Sequence, residues 1–175
     1  MANRAWRYER AFEAYLRSRQ LSIVPVNESR RAFADGQPIK SLDYIVAGAG
    51  GRTLLIDVKG RSMGKRGGVD FWATADDLDG LAAWREQFGP QAVAALAFVL
   101  DLPDPELGKT YVDRFAYEDR QFACIAVELD AFRSAMTPRS PKWRTFSLPV
   151  GQVAALARPL SQWLDPPPSA DRAPP

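Results

Sequence analysis

The spacing of apolar positions changes several times along the chain, and each change marks an element. In "AWRYERAFEAYLRSRQ", Tyr8, Phe12, Tyr15 and Leu16 recur at helical spacing with Ala5 and Ala11 on the same face, which predicts an amphipathic helix. "LSIVPV", residues 21–26, reads as a short strand, with Pro25 suited to an edge or an end. "NESRRAFADGQP" is a polar connection with room for one helical turn. "SLDYIV" (41–46), the Gly-rich turn "AGAGGRT" and "LLIDVKG" (54–60) read as a hairpin with a longish loop. A basic, Gly-rich loop, "RSMGKRGGVD" (61–70), follows. Thr74 and Asp77 then stand at capping-box spacing before a helix through "DDLDGLAAWREQF". Its Leu78, Leu81, Trp84 and Phe88 should face inward, and Gly89-Pro90 should stop it. "AVAALAFVL" (92–100) is too continuously apolar for a half-exposed strand and reads as the central one, buried on both faces. After a turn-rich segment come a strand in "QFACIAVEL", a short helix in "DAFRSAM" and a short strand in "WRTFSL". A last helix, "VGQVAALARPLSQWL", should kink or end near Pro159.

This order predicts an α/β protein: a mixed central sheet flanked by helices, with a smaller β-α-β-α extension at the C-terminal side. A chain of 175 residues favours one α/β domain, over 1–164. The remainder, "DPPPSADRAPP" (165–175), has the Pro-rich composition of a disordered tail. The longest apolar run has nine residues, against roughly 20 for a membrane span. The segment "MANRAWRYER" lacks the apolar stretch of a signal peptide, and the lone Cys124 sits in an apolar context that suits a reducing compartment. The expectation is a cytoplasmic protein with no membrane partner.

Composition narrows the chemistry. The chain has no histidine and one cysteine, which removes Ser-His and Cys-His nucleophile pairs, imidazole bases and His- or thiolate-bound zinc. A metal here must be a hard cation on oxygen ligands. Net charge is only +2, but residues 1–66 carry 13 Lys and Arg against 6 Asp and Glu. That basic half suggests an anionic partner, with nucleic acid the first candidate; chance segregation of charge on a solvated surface is the plain alternative.

The octet "LLIDVKGR" (54–61) lies in that half. Successive strand side chains alternate faces, so Asp57 and Lys59 share one. If the hairpin is symmetric about Gly50, Val46 faces Leu54 and Asp43 faces Asp57. Two carboxylates so placed have Cβ atoms about 5 Å apart and destabilise the sheet unless a cation compensates. A slipped register, with both acids in water, is the alternative. Glu9 and Glu13, at i and i+4 on the first helix, either reach the same site or lie on a solvated face beside Arg10 and Arg17. Arg61, Lys65 and Arg66 form a loop able to grip phosphates, or simply a polar connection. "SPKWRTF", with Arg139, Lys142 and Arg144, is a second nucleic-acid candidate. Trp72 and Trp143 either stack on bases or pack internally.

Glu9, Asp43 and Asp57-Val58-Lys59, on a helix–strand–strand–strand–helix–strand order, resemble the PD-(D/E)xK, or restriction-endonuclease-like, nuclease superfamily over residues 6 to about 100. The stretch "ERAFEAYLRSRQL" resembles the first helix of archaeal-type Holliday junction resolvases, which implies Glu9 as the helix acid and leaves Glu13 outside the core set. The segment "RYERAFE" (7–13), with "SLDYIV", "LLIDVKGRS" and "SPKWRTF", resembles the uncharacterised HYExAFE proteins, with Arg7 where their first His stands. Leu42 stands where the superfamily name has Pro. The resemblance implies an αβββαβ core, catalytic Glu9, Asp43, Asp57 and Lys59, and hydrolysis of DNA phosphodiesters. It implies Mg²⁺ or Mn²⁺ held by Asp43, Asp57, Glu9 and the Val58 carbonyl, with Lys59 acting on the water or the transition state. Nucleic-acid contacts are expected from Arg61, Lys65, Arg66, Lys142 and Arg144, and a homodimer is an assembly this reading allows. The rivals are a catalytically silent nucleic-acid-binding or protein-interaction module on the same fold, and a purely structural ion-pair network.

Overall fold

The computed structural model describes residues 4–27, 29 and 32–164, the side chains of 4–6 excepted; the Pro-rich tail expected over 165–175 lies outside the described residues. Helix α1 (Arg4–Ser18) is followed by β1 (Ile23–Pro25), β2 (Ala32–Ala34), β3 (Gln37–Ile39), β4 (Tyr44–Ala47) and β5 (Thr53–Ser62). Then come β6 (Trp72–Thr74), α2 (Ala75–Phe88), β7 (Ala92–Leu102), β8 (Asp113–Tyr117), β9 (Arg120–Glu128) and α3 (Leu129–Ala135). The described chain closes with β10 (Thr137–Ser140), β11 (Thr145–Ser147), α4 (Val150–Leu156) and α5 (Ser161–Leu164).

Six strands form the central mixed sheet, in the order β1-β4-β5-β7-β9-β8. Only β5 and β7 run parallel, which the crossover through α2 permits. β7 is buried along nearly its whole length because helices cover both faces of the sheet. On one face, Leu55, Leu96, Phe98 and Leu100 pack with Leu78 and Leu81 of α2 and Phe132 of α3. On the other, Tyr8, Phe12, Tyr15 and Leu16 of α1 pack with Val46, Leu54, Ile56, Val99 and Phe122. The α1 stripe is therefore the one its sequence period marks. Each fully buried Leu, Ile or Phe contributes about 1.5–3 kcal/mol of transfer free energy.

The hairpin register is also the one its symmetry predicts: Val46 pairs with Leu54 and Tyr44 with Ile56. Thr74 caps α2 reciprocally, accepting from Asp77 N–H while Asp77 Oδ2 accepts from Thr74 N–H at 2.7 Å.

Several elements differ from the sequence expectations. The connection 27–38, expected to be irregular with one helical turn, holds the β2–β3 hairpin, closed by Asp35 (φ 49°) and Gly36 (φ 75°). Asp-Gly is a turn pair that reverses strands tightly, and it outweighs the polar flanks. Between 103 and 120 there is a further edge strand, β8, paired with β9. The C-terminal extension is thus richer than β-α-β-α, and the segment 150–164 forms two short helices separated near Pro159. Phe88, expected inward, is 41% exposed at the last turn of α2. A small second sheet, β10-β11-β6, joins the extension to the start of α2. Among the described residues no helix is long and apolar enough to cross a membrane.

Candidate functional site

Strand lengths create the site. β4 pairs only with Thr53–Ile56 of β5, whereas β7 pairs with β5 throughout. From Asp57 onward, the β4-side edge of β5 has no strand beside it. Asp43 sits at the fork: its N–H donates to Ile56 O at 3.0 Å, and its Oδ2 accepts the Val58 N–H. The side chain of Asp43 thus stands in for the strand that ends. Val58 N–H points to this open edge, and its carbonyl shares that side. Asp43 stands at a bend just before β4, its N–H towards β5 and its carbonyl accepting from Val26 N–H on the β1 side, while Asp57 has the parity of Leu55, which packs on the α2 face. The Asp43 carboxylate thus lies on the bare edge of β5, and that of Asp57 belongs to the α2 face beside it.

Asp57 is 3% exposed. Lys59 Nζ lies 2.5 Å from its Oδ2, so that buried oxygen is held by the ammonium. Burial raises the Asp57 pKa, against the pull of Lys59, and nearby Asp77 raises it further. Lys59 Nζ is also 3.1 Å from Asp77 Oδ1, an oxygen that Lys40 Nζ contacts as well. Desolvation opposes the Lys59 charge, but Asp57 and Asp77 together outweigh it and raise its pKa. Desolvation likewise opposes the Asp77 carboxylate; Lys59, Lys40 and the Thr74 N–H outweigh it and bring its pKa down to about 2. A line of alternating charge, Asp57–Lys59–Asp77–Lys40, runs from the sheet to the first turn of α2.

Neither Asp77 nor Lys40 was among the residues that the sequence singled out for chemistry. Asp77 read only as a cap, a role that uses one of its oxygens. Lys40 is held by long-range packing: a Cβ on Gly80 would come within 2.9 Å of the Lys40 backbone, and Trp84 Nε1 donates to Lys40 O at 3.0 Å. No local sequence pattern announces such contacts.

A cleft of about 410 Å³ opens along the bare edge of β5, lined by Tyr8, Glu9, Val58, Lys59, Gly60, Arg61, Ser62 and Trp72. Glu9 enters from α1 because that helix lies close on β5. A Cβ on Gly60 would sit 2.2 Å from the Tyr8 ring, so glycine is required there, and Tyr8 Oη is 3.0 Å from Ser62 Oγ. Glu13 lies away from the cleft, paired with Arg17 at 2.6 Å and accepting from Tyr44 Oη at 3.4 Å. Lys59 and Glu9 thus line the opening, while Asp43 and Asp57 lie behind it. Among the described residues, no three carboxylate, imidazole or thiol groups are drawn together into a ready metal cluster.

The basic residues divide. Arg61 is committed to the protein itself, donating to Asp70 O and Gly60 O at 2.9 Å and to Trp72 O, with its guanidinium 4.4 Å from the Trp72 ring centre. Burial, with Arg139 nearby, lowers its pKa to about 10. Lys65 and Arg66 are exposed on the loop beyond β5. Lys142 is exposed over Trp143, and Arg144 pairs with Asp76 at 3.2 Å.

The fold matches that of a Holliday junction resolvase. The solved structure of Hjc, from the archaeal hyperthermophile Archaeoglobus fulgidus, aligns with a TM-score of 0.53 at 20% identity. The match spans 89% of this chain and 96% of the other. At that identity the likeness establishes the restriction-endonuclease-like fold. No family model matches the chain, and no curated protein does.

Proposed function

We propose that the chain is a metal-dependent nuclease that hydrolyses DNA phosphodiesters at the fork between β4 and β5. The observation that carries this reading is Asp57-Val58-Lys59 at the point where β5 outruns β4, with Lys59 and Glu9 lining an open cleft. The Holliday junction resolvase likeness supports DNA as the substrate. The kinship suggested by "RYERAFE", and action in a reducing, cytoplasmic setting where buried Cys124 stays a thiol, belong to the same proposal.

The residues fit a hard divalent cation, Mg²⁺ or Mn²⁺. The donors are all hard oxygens: the Asp43 carboxylate and the Val58 carbonyl lie on the bare edge of β5, and the Asp57 carboxylate stands next to Val58, shared with Lys59. Glu9 would complete the set from α1. Such an ion, when bound, supplies charge neutralisation and a water acidic enough to attack at neutral pH. Lys59, charged and held between Asp57 and Asp77 in the wall of the cleft, orients that water or donates to the developing oxyanion. Lys65 and Arg66 hold phosphates without reading sequence.

A second reading has its own support. Lys59 is engaged by two carboxylates, as a structural ion-pair network or a silent binding module would have it. Incubation of the purified protein with linear, single-stranded and branched DNA in Mn²⁺ separates the two. The nuclease reading expects cleavage that vanishes in Asp57→Ala and falls sharply in Lys59→Ala, with DNA binding retained. Binding without cleavage of any of these substrates would overturn it in favour of the silent module.

A further inference from the structure

The turn between β10 and β11 carries Lys142, Trp143 and Arg144, and nothing in the proposed chemistry uses it. Trp143 is 69% exposed, so it does not pack in a core. Lys142 Nζ lies 5.4 Å from its ring centre and is the contact that the structure gives that ring. The turn itself is fixed. Arg144 N–H donates to Pro141 O at 3.2 Å, and Arg144 O accepts from Ala75 N–H at 2.8 Å. The Arg144 guanidinium holds Asp76. Ala75 and Asp76 open α2, whose Asp77 grips Lys59. One helical turn therefore anchors both the lysine of the cleft and the backbone that presents Trp143. On the way between them, Trp72 lines the cleft, flanked by Arg61 at 4.4 Å and Arg139 at 5.1 Å. Between cleft and turn, Arg139 is matched by Asp70 and Arg144 by Asp76, whereas Lys142 beside Trp143 has no carboxylate partner among the described residues.

We propose that the β10–β11 turn is a stacking platform for an unpaired DNA base: Trp143 takes the base face and Lys142 the adjoining phosphate. The substrate class is then DNA with single-stranded nucleotides next to the phosphodiester in the cleft, such as a flap, an overhang or a branch. Paired bases hide their faces in the duplex, whereas an unpaired base offers a face that any exposed aromatic ring can cover without reading sequence. This inference rests on the nuclease reading for what the cleft does, but its binding half stands apart from catalysis.

The test measures binding of oligothymidylate and of a blunt duplex in EDTA, by wild type, Trp143→Ala, Trp143→Phe and Lys142→Gln. Trp143→Ala should weaken oligothymidylate binding by about 5- to 150-fold and leave duplex binding within about twofold. Trp143→Phe should recover most of the loss, and Lys142→Gln should lower the salt dependence of oligothymidylate binding. The side chain is exposed, and equal melting temperatures of all four proteins verify that the fold is intact. Equal affinity of wild type and Trp143→Ala for oligothymidylate, or an equal loss for both DNAs, would overturn the platform. Cleavage of flapped and blunt DNA in Mn²⁺ then separates the two claims. Cleavage with no effect of Trp143→Ala on substrate choice sinks the platform and spares the nuclease; selective stacking without cleavage does the reverse.

Discussion

Replacing Asp77 by Asn removes the charge at the centre of the buried line while keeping an oxygen for the Thr74 N–H. In the folded protein the Asp77 carboxyl titrates at about 2, against an ordinary value of 3.8. Each pK unit corresponds to about 1.4 kcal/mol, so the carboxylate stabilises the fold by roughly 2 kcal/mol at neutral pH. Asp77 is only 3% exposed, so solvent screening takes little from that figure. The substitution also leaves Lys40 and Lys59 facing each other without their shared counter-ion. The variant should therefore be less stable by about 2 kcal/mol at pH 7, a fall of roughly 4–8 °C in melting temperature for a chain of this size. The sign with pH follows from the depressed value. Between about pH 2 and 4 the unfolded chain binds the proton more readily, so this contribution is complete above the unfolded pKa and is lost as pH falls through the folded one. Urea unfolding of both proteins, followed by far-UV circular dichroism from pH 7 downward, should show the gap closing below about pH 4. Equal stability at pH 7, or a gap that persists undiminished as far as the fold survives acid, would refute the reasoning.

Other consequences follow from the same geometry. Asp57 is the opposite case: its raised pKa means the buried carboxylate costs stability above that pKa, and the cost disappears as pH falls through it. Metal-free Asp57→Asn should be at least as stable as wild type at pH 7 in thermal melts with EDTA; a large loss would mean that its pairing with Lys59 outweighs its burial. Gly60→Ala places a methyl into the Tyr8 ring and should cost about 1–3 kcal/mol while displacing Glu9 from the cleft, read as a lower melting temperature and at least about tenfold slower cleavage. Neutralising Lys65 and Arg66 together should weaken DNA binding and reduce the slope of log affinity against log salt by about 1–2, with no change in melting temperature.

Much of this was legible in the sequence, for identifiable reasons. The α1 stripe and the β7 run are strong periodic signals, and each became the core surface its period predicts. The β4–β5 register followed from a symmetric loop, because Gly50 and Gly51 turn the chain where the flanking strands need it; it holds as far as Tyr44–Ile56, and Asp43 leaves the ladder at a bend. What stayed hidden depends on distance in the chain. Lys40 reaches Asp77 only because Gly80 lets the two backbones approach, and Tyr8 reaches Ser62 only because position 60 lacks a Cβ. The second sheet pairs Trp72 with Ser147, 75 residues apart in number, and no local period encodes such a pairing. The Asp35-Gly36 turn was a local signal that its polar neighbours obscured. Arg61 looked like a free phosphate ligand because sequence gives the charge of a side chain but not the three carbonyls it satisfies.

The central claim is that Asp43, Asp57 and the Val58 carbonyl form a divalent-cation site at the fork of β4 and β5. Titration of Mn²⁺ into the metal-free protein without DNA, followed by the loss of the free-ion paramagnetic resonance signal, tests it most directly. The account predicts saturable binding by wild type, loss of that site in Asp57→Asn and in Asp43→Asn, and its retention in Lys59→Ala. Absence of saturable binding, or binding undiminished in both Asp variants, would contradict it.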